Sequence, residues 1–320
     1  MSERSDQSHR NVVIHVGFSK TGTTTLQKHV FGKHSQVAYL GKPFEDETLK
    51  TLIHQLMMQE STVYDPGPLT RYMDEKQLMA LSEYGPNRKV VVVSDEMFLS
   101  YSKVRDKGVV ANRIKEVFGP CRILITIRNQ YDLLKSAYLS RGRLLVNVPA
   151  RWNGLGVTFE DWLALCVENL DRGYISHADY YKTIDFYSRL FGRENVCVLM
   201  LEEFIHHKET YIRKLSEFLG IDAVESLERV SDAHEHREIT QHTLDFELLK
   251  ARFFPLHRNF LLLGLLKSYL SFKHQNRRGA VAMVEIPARF KDQLKTIFRE
   301  GNRKLMTHYQ LPLEQYHYPL

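Results

Sequence analysis

Apolar and polar positions fall into two kinds of run along this chain. Four short stretches are nearly continuous in β-branched and other apolar residues: Val12 to Val16, Lys89 to Val93, Arg122 to Ile127 and Asn195 to Leu201. Apolar character on consecutive positions, bounded by turn residues, predicts strands covered on both faces, the habit of parallel sheets. Between them, apolar residues recur at three- and four-residue spacing over Thr24 to Phe31, Arg105 to Phe118, Gln130 to Arg141, Phe159 to Leu170 and Asp179 to Phe191, which predicts helices. Strand and helix in alternation imply right-handed crossovers and an α/β, three-layer fold, with a central, mostly parallel sheet flanked by helices. The last third carries helical stripes alone, Ile212, Leu215, Phe218 and Leu219 in one, Phe290, Leu294, Ile297 and Phe298 in another. No internal repeat or low-complexity linker interrupts the chain. The expectation is one domain over 1–320, with 1–10 disordered, an α/β core over 11–205 and a mostly helical extension over 206–320.

Composition narrows the class. Of 320 residues, 43% are hydrophobic, 26% charged and 11% aromatic, which excludes disordered, fibrous and membrane-embedded chains. The 44 Lys and Arg against 38 Asp and Glu leave a formal charge of +6, pointing to an anionic partner: nucleic acid, a membrane surface or a small phosphorylated ligand. Cys121, Cys166 and Cys197 are odd in number and form no Cys-x-x-Cys pair, which favours a reducing compartment. Met1 to Asn11 is polar and lacks a secretory apolar stretch, so a cytoplasmic location is expected. The most apolar segment, Phe253 to Leu270, is interrupted by Pro255, His257, Arg258 and Lys267, too many polar breaks for a bilayer span. It reads as a helix packed inside the fold, against a partner or beside an apolar ligand, and peripheral membrane contact stays open.

The strongest chemical signal follows the first strand: Gly17-Phe18-Ser19-Lys20-Thr21-Gly22-Thr23-Thr24-Thr25, running directly into a helical segment. Glycines at such a turn let backbone N–H groups face inward, and the helix start adds its own donors and positive dipole end, a P-loop-like anion cradle. Gly17 and Gly22 match the nucleoside triphosphate pattern Gly-x-x-x-x-Gly-Lys-Ser/Thr, but Thr23 stands where its lysine belongs and the lysine comes earlier, at Lys20. That placement suits a bridging oxygen of a shorter anion better than a β/γ-phosphate. A second set follows the strand Arg122 to Ile127. Arg128 sits at its carboxyl end, where open α/β sheets bind ligands, and Ser136 lies eight residues on, about two helical turns along the next helix. Two anion sites at two strand exits fit a ligand with two separated anionic groups.

Lys20-Thr21-Gly22-Thr23-Thr24, and Arg128 with Ser136, resemble the two cofactor motifs of sulfotransferases that use 3′-phosphoadenosine-5′-phosphosulfate. Asp179 to Phe204 is similar to the closing helix and strand of the cofactor domain in bacterial members, and Asn302, Leu305 and Tyr316-His317-Tyr318-Pro319 to their C-terminal signature. The resemblance implies that the Lys20 loop, through Thr25, binds the 5′-phosphosulfate, that Arg128 and Ser136 bind the 3′-phosphate, and that a late basic loop, Arg277-Arg278-Gly279, reaches the same phosphate. Thr25 and Leu201 depart from the pattern, standing where many members carry a tryptophan and a tyrosine. The implied activity is transfer of a sulfonate to an acceptor hydroxyl, carbohydrate or glycolipid first, with a lipid or other small metabolite open, releasing adenosine 3′,5′-bisphosphate.

Such a transfer needs a positioned hydroxyl, a base, cations on the sulfonate oxygens and stabilisation of the departing phosphate. Lys20 serves the leaving side, and with Lys20, Arg128 and loop amides neutralising the ester no metal site is implied. For the base, Ser94-Asp95-Glu96-Met97-Phe98 follows the strand Lys89 to Val93. Glu96 is the first choice, its pKa expected to be raised by partial burial beside Met97 and Phe98. His15, within the first strand, is the rival, and Asp95 a third carboxylate at the acceptor side. In some members of the family the base follows the next short strand, which here reads Tyr39-Leu40-Gly41-Lys42-Pro43; no carboxylate stands there until Glu45, and Lys42 is placed to meet an anionic acceptor or the sulfonate. His206-His207 and His234-Glu235-His236 lack zinc-site spacing. Trp152 could stack on a sugar, whereas Trp162 reads as core. Competing readings are a kinase with a degenerate phosphate loop and a nucleic-acid-binding protein, though no zinc-finger spacing or basic helix supports the latter.

Overall fold

The computed structural model describes residues 11–82, 90–100, 106–140, 142, 156–170, 173–231, 239–253 and 280–320. These fall into two compact units, one within Met1–Arg128 and Tyr180–Glu235, the other within Asn129–Asp179 and His236–Leu320.

The first unit holds a five-stranded sheet. Its strands are β1 (Val12–His15), β2 (Val37–Tyr39), β3 (Val90–Ser94), β4 (Arg122–Ile127) and β5 (Val196–Met200), in the order β2-β3-β1-β4-β5. All four pairings are parallel. Val12, Val13, Ile14, Val92, Val93, Ile123, Leu124 and Ile125 are buried, as expected of central strands covered on both faces. Each such side chain contributes roughly 1.5–3 kcal/mol relative to exposure. The three-residue β2 is too short for a periodic signal, yet its ladder runs on: Leu40 N–H donates to Val92 O at 2.9 Å and Lys42 N–H to Ser94 O at 2.9 Å. Lys42 is thereby carried to the carboxyl end of β3.

On one face, Leu26, Val30 and Phe31 pack with Val13, Val37, Val92, Leu124 and Leu199 and with Tyr211, Ile212 and Leu215. The last three lie on α10 (Lys208–Leu219), one of the two C-terminal stripes. The helix after the phosphate loop differs from the regular one expected. A single α-turn, α1 (Thr23–Thr25), gives way to a π-helical segment over Leu26–Phe31. Helices α2 (Glu47–Met58) and α3 (Gly67–Ser82) lie between β2 and β3, and α4 (Lys107–Phe118) between β3 and β4. Asp46 caps α2 through Thr48 and Leu49 N–H, and Asp106 caps α4 through Gly108 and Val109 N–H; such caps are worth about 1 kcal/mol each. After α8 (Tyr180–Phe191) and β5 come α9 (Leu201–His206), α10 and α11 (Ala223–Val230). Gly220, at φ +71°, ends α10 in the left-handed region, where a Cβ is disfavoured. Arg122 of β4 donates to the Phe218 carbonyl at that same end.

The second unit contains α5 (Gln130–Ser140), α6 (Phe159–Glu168), α7 (Tyr174–Ala178), α12 (Gln241–Phe253) and α13 (Ala288–Tyr309). Trp162 is buried among Tyr138, Phe159 and Tyr174, in keeping with its core reading. The C-terminal residues singled out in the sequence close on the start of α5. Gln130 Nε2 donates to Asn302 Oδ1 at 2.6 Å, Asn302 Nδ2 to Pro319 O at 2.8 Å, and Asn129 Nδ2 to the Tyr316 and His317 carbonyls at 2.9 Å each. These buried amides satisfy the backbone of a tail that has little regular structure of its own. No described helix is long and apolar enough to cross a membrane.

Candidate active site

In the first unit the carboxyl ends of β3, β1 and β4 are neighbours, and the segments leaving them carry the candidate residues. The phosphate loop leaves β1 still bonded to β4: Val16 N–H donates to Leu124 O at 3.0 Å and Phe18 N–H to Thr126 O at 3.2 Å. Phe18 is buried edge-on against Tyr180, ring centroids 4.7 Å apart. Gly17 admits no side chain, because a Cβ would stand 2.3 Å from Thr126 Oγ1 and 2.7 Å from His15 Nε2. Gly22 adopts φ +81° and a Cβ on it would meet Leu201 Cδ1 at 2.8 Å. Leu201, the first residue of α9, thus lies over the loop. Between the two glycines Lys20 is exposed at φ +68°, a conformation costing a non-glycine residue roughly 1–2 kcal/mol.

Gly22 precedes α1 with no side-chain cap, and the first N–H groups of a helix have no intrahelical acceptor. The threonines divide by burial. Thr21 is buried, its hydroxyl bonded to Phe18 O and, at 2.7 Å, to Thr126 Oγ1. Thr23 is also buried, Thr25 half-buried and Thr24 exposed. Thr24 is thus the exposed threonine of the loop, and the Thr21 hydroxyl is committed to Phe18 and Thr126.

At the exit of β4, the Arg128 guanidinium donates to the Lys20 carbonyl at 3.4 Å, and the Arg128 carbonyl accepts the Tyr180 O–H at 2.7 Å. Burial pushes the Tyr180 phenol far up, so it stays a donor. Arg128 and Lys20 are thus brought to one place. Ser136, half-buried, stands on α5 in the second unit. Arg277, Arg278 and Gly279 lie outside the described residues, as do His234-Glu235-His236, Trp152 and the apolar stretch beyond Phe253.

At the exit of β3, Asp95 is buried and its Oδ1 accepts Met97 N–H at 2.9 Å, capping a 3-10 turn over Glu96–Phe98. Glu96 Oε1 accepts Lys42 Nζ at 2.6 Å, their side chains 20% and 42% exposed. Its Oε2 accepts Gln27 Nε2 at 3.2 Å. Burial pushes the Glu96 carboxyl up, but the hydrogen bond and charge of Lys42, its own backbone N–H and Gln27 outweigh it, and the net direction is down. The expected rise is therefore corrected: apolar neighbours are present, yet an ion pair dominates them.

His15 is completely buried. Its Nδ1 is 2.8 Å from Ser94 Oγ and its Nε2 3.5 Å from Thr126 Oγ1. Burial lowers its pKa to about 4, against a small raising effect of Glu96, so the ring is neutral. The folded value lies below the unfolded 6.5, so His15 costs no stability above about pH 6.5, and stability is lost as pH falls toward 4. The loss is on the order of 3 kcal/mol. Urea midpoints followed from pH 7 to 4 are expected to fall less steeply in His15→Gln than in the parent; equal slopes would remove the buried neutral ring from the account.

Gln27, Ser94, Thr126 and Tyr180 are not among the residues that the sequence motifs mark. Two of them carry a faint signal, a polar residue where the pattern wants an apolar one: Gln27 on the buried stripe of Leu26, Val30 and Phe31, and Thr126 inside an apolar strand. Among the described residues no cluster of three or more His, Cys, Asp or Glu could hold a metal, and His206 and His207 are exposed at the end of α9.

Residues 10–252 match the family model described as a sulfotransferase domain. A sulfotransferase from Alicyclobacillus acidocaldarius superposes with a TM-score of 0.54 at 17% identity, over 97% of this chain and 99% of that one. A mouse sulfotransferase complexed with PAP aligns at 15% identity and a TM-score of 0.42 over 92% of this chain and 86% of its own. The sulfotransferase domain of the curacin biosynthetic pathway aligns at 14% identity and a TM-score of 0.42, over 71% and 78%. A search of curated proteins finds no significant match. With three quarters of its length under one family model and a five-stranded parallel sheet of the same fold, the chain belongs to the sulfotransferase domain family.

Proposed function

We propose that the chain transfers a sulfonate group from 3′-phosphoadenosine-5′-phosphosulfate to a hydroxyl of a carbohydrate or glycolipid, releasing adenosine 3′,5′-bisphosphate. The observation that carries this reading is the meeting of three strand exits: the exposed Lys20, Arg128 bonded to its carbonyl, and the Glu96–Lys42 pair. An exposed ammonium, a guanidinium and a helix start without a side-chain cap form a donor set suited to a small polyanion. When bound, the phosphosulfate supplies the sulfonate and the S–O bond that breaks. Lys20 stabilises negative charge on the leaving side, and the backbone donors of the Gly22 turn hold the 5′-phosphate. Arg128 holds the 3′-phosphate, the role that the family resemblance also gives to Ser136, Arg277, Arg278 and Gly279. Glu96, ionised at neutral pH, accepts the hydroxyl proton, and Lys42 orients Glu96 and meets the acceptor beside it. Asp95 shapes that edge by capping the turn that presents Glu96. The three cysteines are free, consistent with a reducing, cytoplasmic setting.

Calorimetry with adenosine 3′,5′-bisphosphate tests the donor directly. Binding is expected with adenosine 5′-monophosphate much weaker, and Arg128→Ala is expected to weaken the bisphosphate at least about tenfold while leaving the monophosphate nearly unchanged. Equal affinities for the two nucleotides in the parent would sink the 3′-phosphate assignment. Transfer of labelled phosphate from ATP with magnesium, and none of sulfonate, would replace this reading with a kinase.

A further inference from the structure

Behind the candidate site runs a chain of polar side chains across three strands. Gln27 Nε2 lies 3.0 Å from Ser94 Oγ and 3.2 Å from Glu96 Oε2. Ser94 Oγ is 2.8 Å from His15 Nδ1, and His15 Nε2 is 3.5 Å from Thr126 Oγ1. Thr126 Oγ1 is 2.7 Å from Thr21 Oγ1, which donates to the Phe18 carbonyl of the phosphate loop. Gln27, Ser94, His15, Thr126 and Thr21 are all at most 4% exposed.

Counting protons gives this chain one direction. The single Thr21 proton goes to the Phe18 carbonyl, so Thr126 must donate to Thr21. Thr126 then has no proton left for His15, so His15 carries its proton on Nε2 and accepts on Nδ1. Ser94 donates to that nitrogen, and its oxygen is open to a donor, which the Gln27 amide supplies. The second amide proton points at Glu96. A carboxylate and a backbone carbonyl, both pure acceptors, therefore end one continuous network, and each buried group inside it has a partner.

We propose that Gln27 is a positioning residue that fixes the Glu96 carboxylate and ties it, through Ser94, His15 and Thr126, to the phosphate loop. The proposal rests on Glu96 being the base. The groups facing Glu96 are Lys42 beyond β2, Gln27 on the π-helical segment, neutral His15 on β1, Asp95 on the adjoining turn, and Tyr39. Gln27 and Lys42 each favour the ionised carboxylate, so losing Gln27 makes the carboxyl easier to protonate and leaves Lys42 in place.

The variant Gln27→Met keeps the volume and removes both donors. With water as the acceptor, its rate is read as labelled sulfate released from the phosphosulfate. We expect a turnover lowered roughly tenfold, an acid limb of the pH–rate profile moved upward, and adenosine 3′,5′-bisphosphate affinity close to the parent. In the Glu96→Gln background the same change is expected to lower the rate no further, since the two act as one unit. An unchanged rate and acid limb in Gln27→Met, with Glu96→Gln inactive, overturns the positioning role and spares the base. A fully active Glu96→Gln overturns both. If Gln27→Met does not bind the bisphosphate, Gln27→Asn replaces it and must show the same upward move; a fixed limb counts against the proposal. Nitrogen-15 spectra, with His15 identified by its loss in His15→Gln, are expected to show the neutral Nε2–H tautomer, and an Nδ1–H ring overturns the direction of the network.

Discussion

Lys20→Ala is expected to lower turnover by a factor of about a hundred or more, the loss typical when one preorganised stabiliser of developing charge is removed, with bisphosphate affinity changed far less. Lys20 is exposed at φ +68° on a loop whose neighbours are locked. Phe18 N–H is bonded to β4, and Thr21 is tied inward to Phe18 and Thr126. The loop therefore holds its shape without the lysine side chain, and its anion-facing backbone survives the substitution. What disappears is a charge that matters most as the S–O bond breaks, so the effect falls on kcat rather than on ground-state binding. Lys20→Arg, which keeps the charge but spreads it over a planar fork, is expected to recover only part. Release of labelled sulfate under saturating donor measures both; a weakened bisphosphate affinity that accounts for the whole loss would make Lys20 a binding residue only.

Glu96→Gln is expected to cost between about a hundredfold and ten-thousandfold in turnover, the span of general base catalysis, with the donor still bound. The amide keeps the size and can still meet Lys42 through its oxygen, so the turn over Glu96–Phe98 and its Asp95 cap remain. The pH dependence carries the same assignment. Glu96 sits below the ordinary 4.5 for a glutamate because Lys42 and Gln27 outweigh its burial. The parent is therefore expected to keep its rate as pH falls from neutrality to 5, provided it stays folded, and the acid limb to begin below 4.5. Lys42→Met removes the ion pair and is expected to raise that limb. A limb that stays near pH 6.5 in every variant would belong to another group.

Much of the fold was readable from periodicity. The four apolar runs coincide with β1, β3, β4 and β5 to within a residue or two, because consecutive apolar positions are demanded of strands covered on both sides. The stripes of Ile212, Leu215 and Leu219 and of Phe290, Leu294 and Phe298 are the buried faces of α10 and α13. The differences are local. β2 runs over Val37–Tyr39, where the short strand is expected over Tyr39 to Pro43, and α2, α3 and the eight-residue α11 are not among the expected helices. The π-helical turns after Thr25 leave the apolar spacing of Leu26, Val30 and Phe31 almost as an α-helix would have it, so sequence cannot tell them apart.

The candidate site is legible in the sequence only where it depends on local order. Glycine spacing and one lysine on a strand exit mark the loop, because backbone conformation and helix start are properties of neighbouring residues. The position of Arg128 at the end of an apolar strand marks the second cation in the same way. Neither the charge state of Glu96 nor that of His15 follows from neighbours along the chain. Glu96 is held ionised by Lys42, brought beside it by the β2–β3 ladder from 54 positions away. His15 is kept neutral by burial beneath Gly17, with Ser94 and Thr126 on either side, 79 and 111 positions away. Local conformation is short-ranged and is written in the order of residues; desolvation and pairing of charge depend on which strands the sheet sets side by side, and those were decided by the tertiary structure.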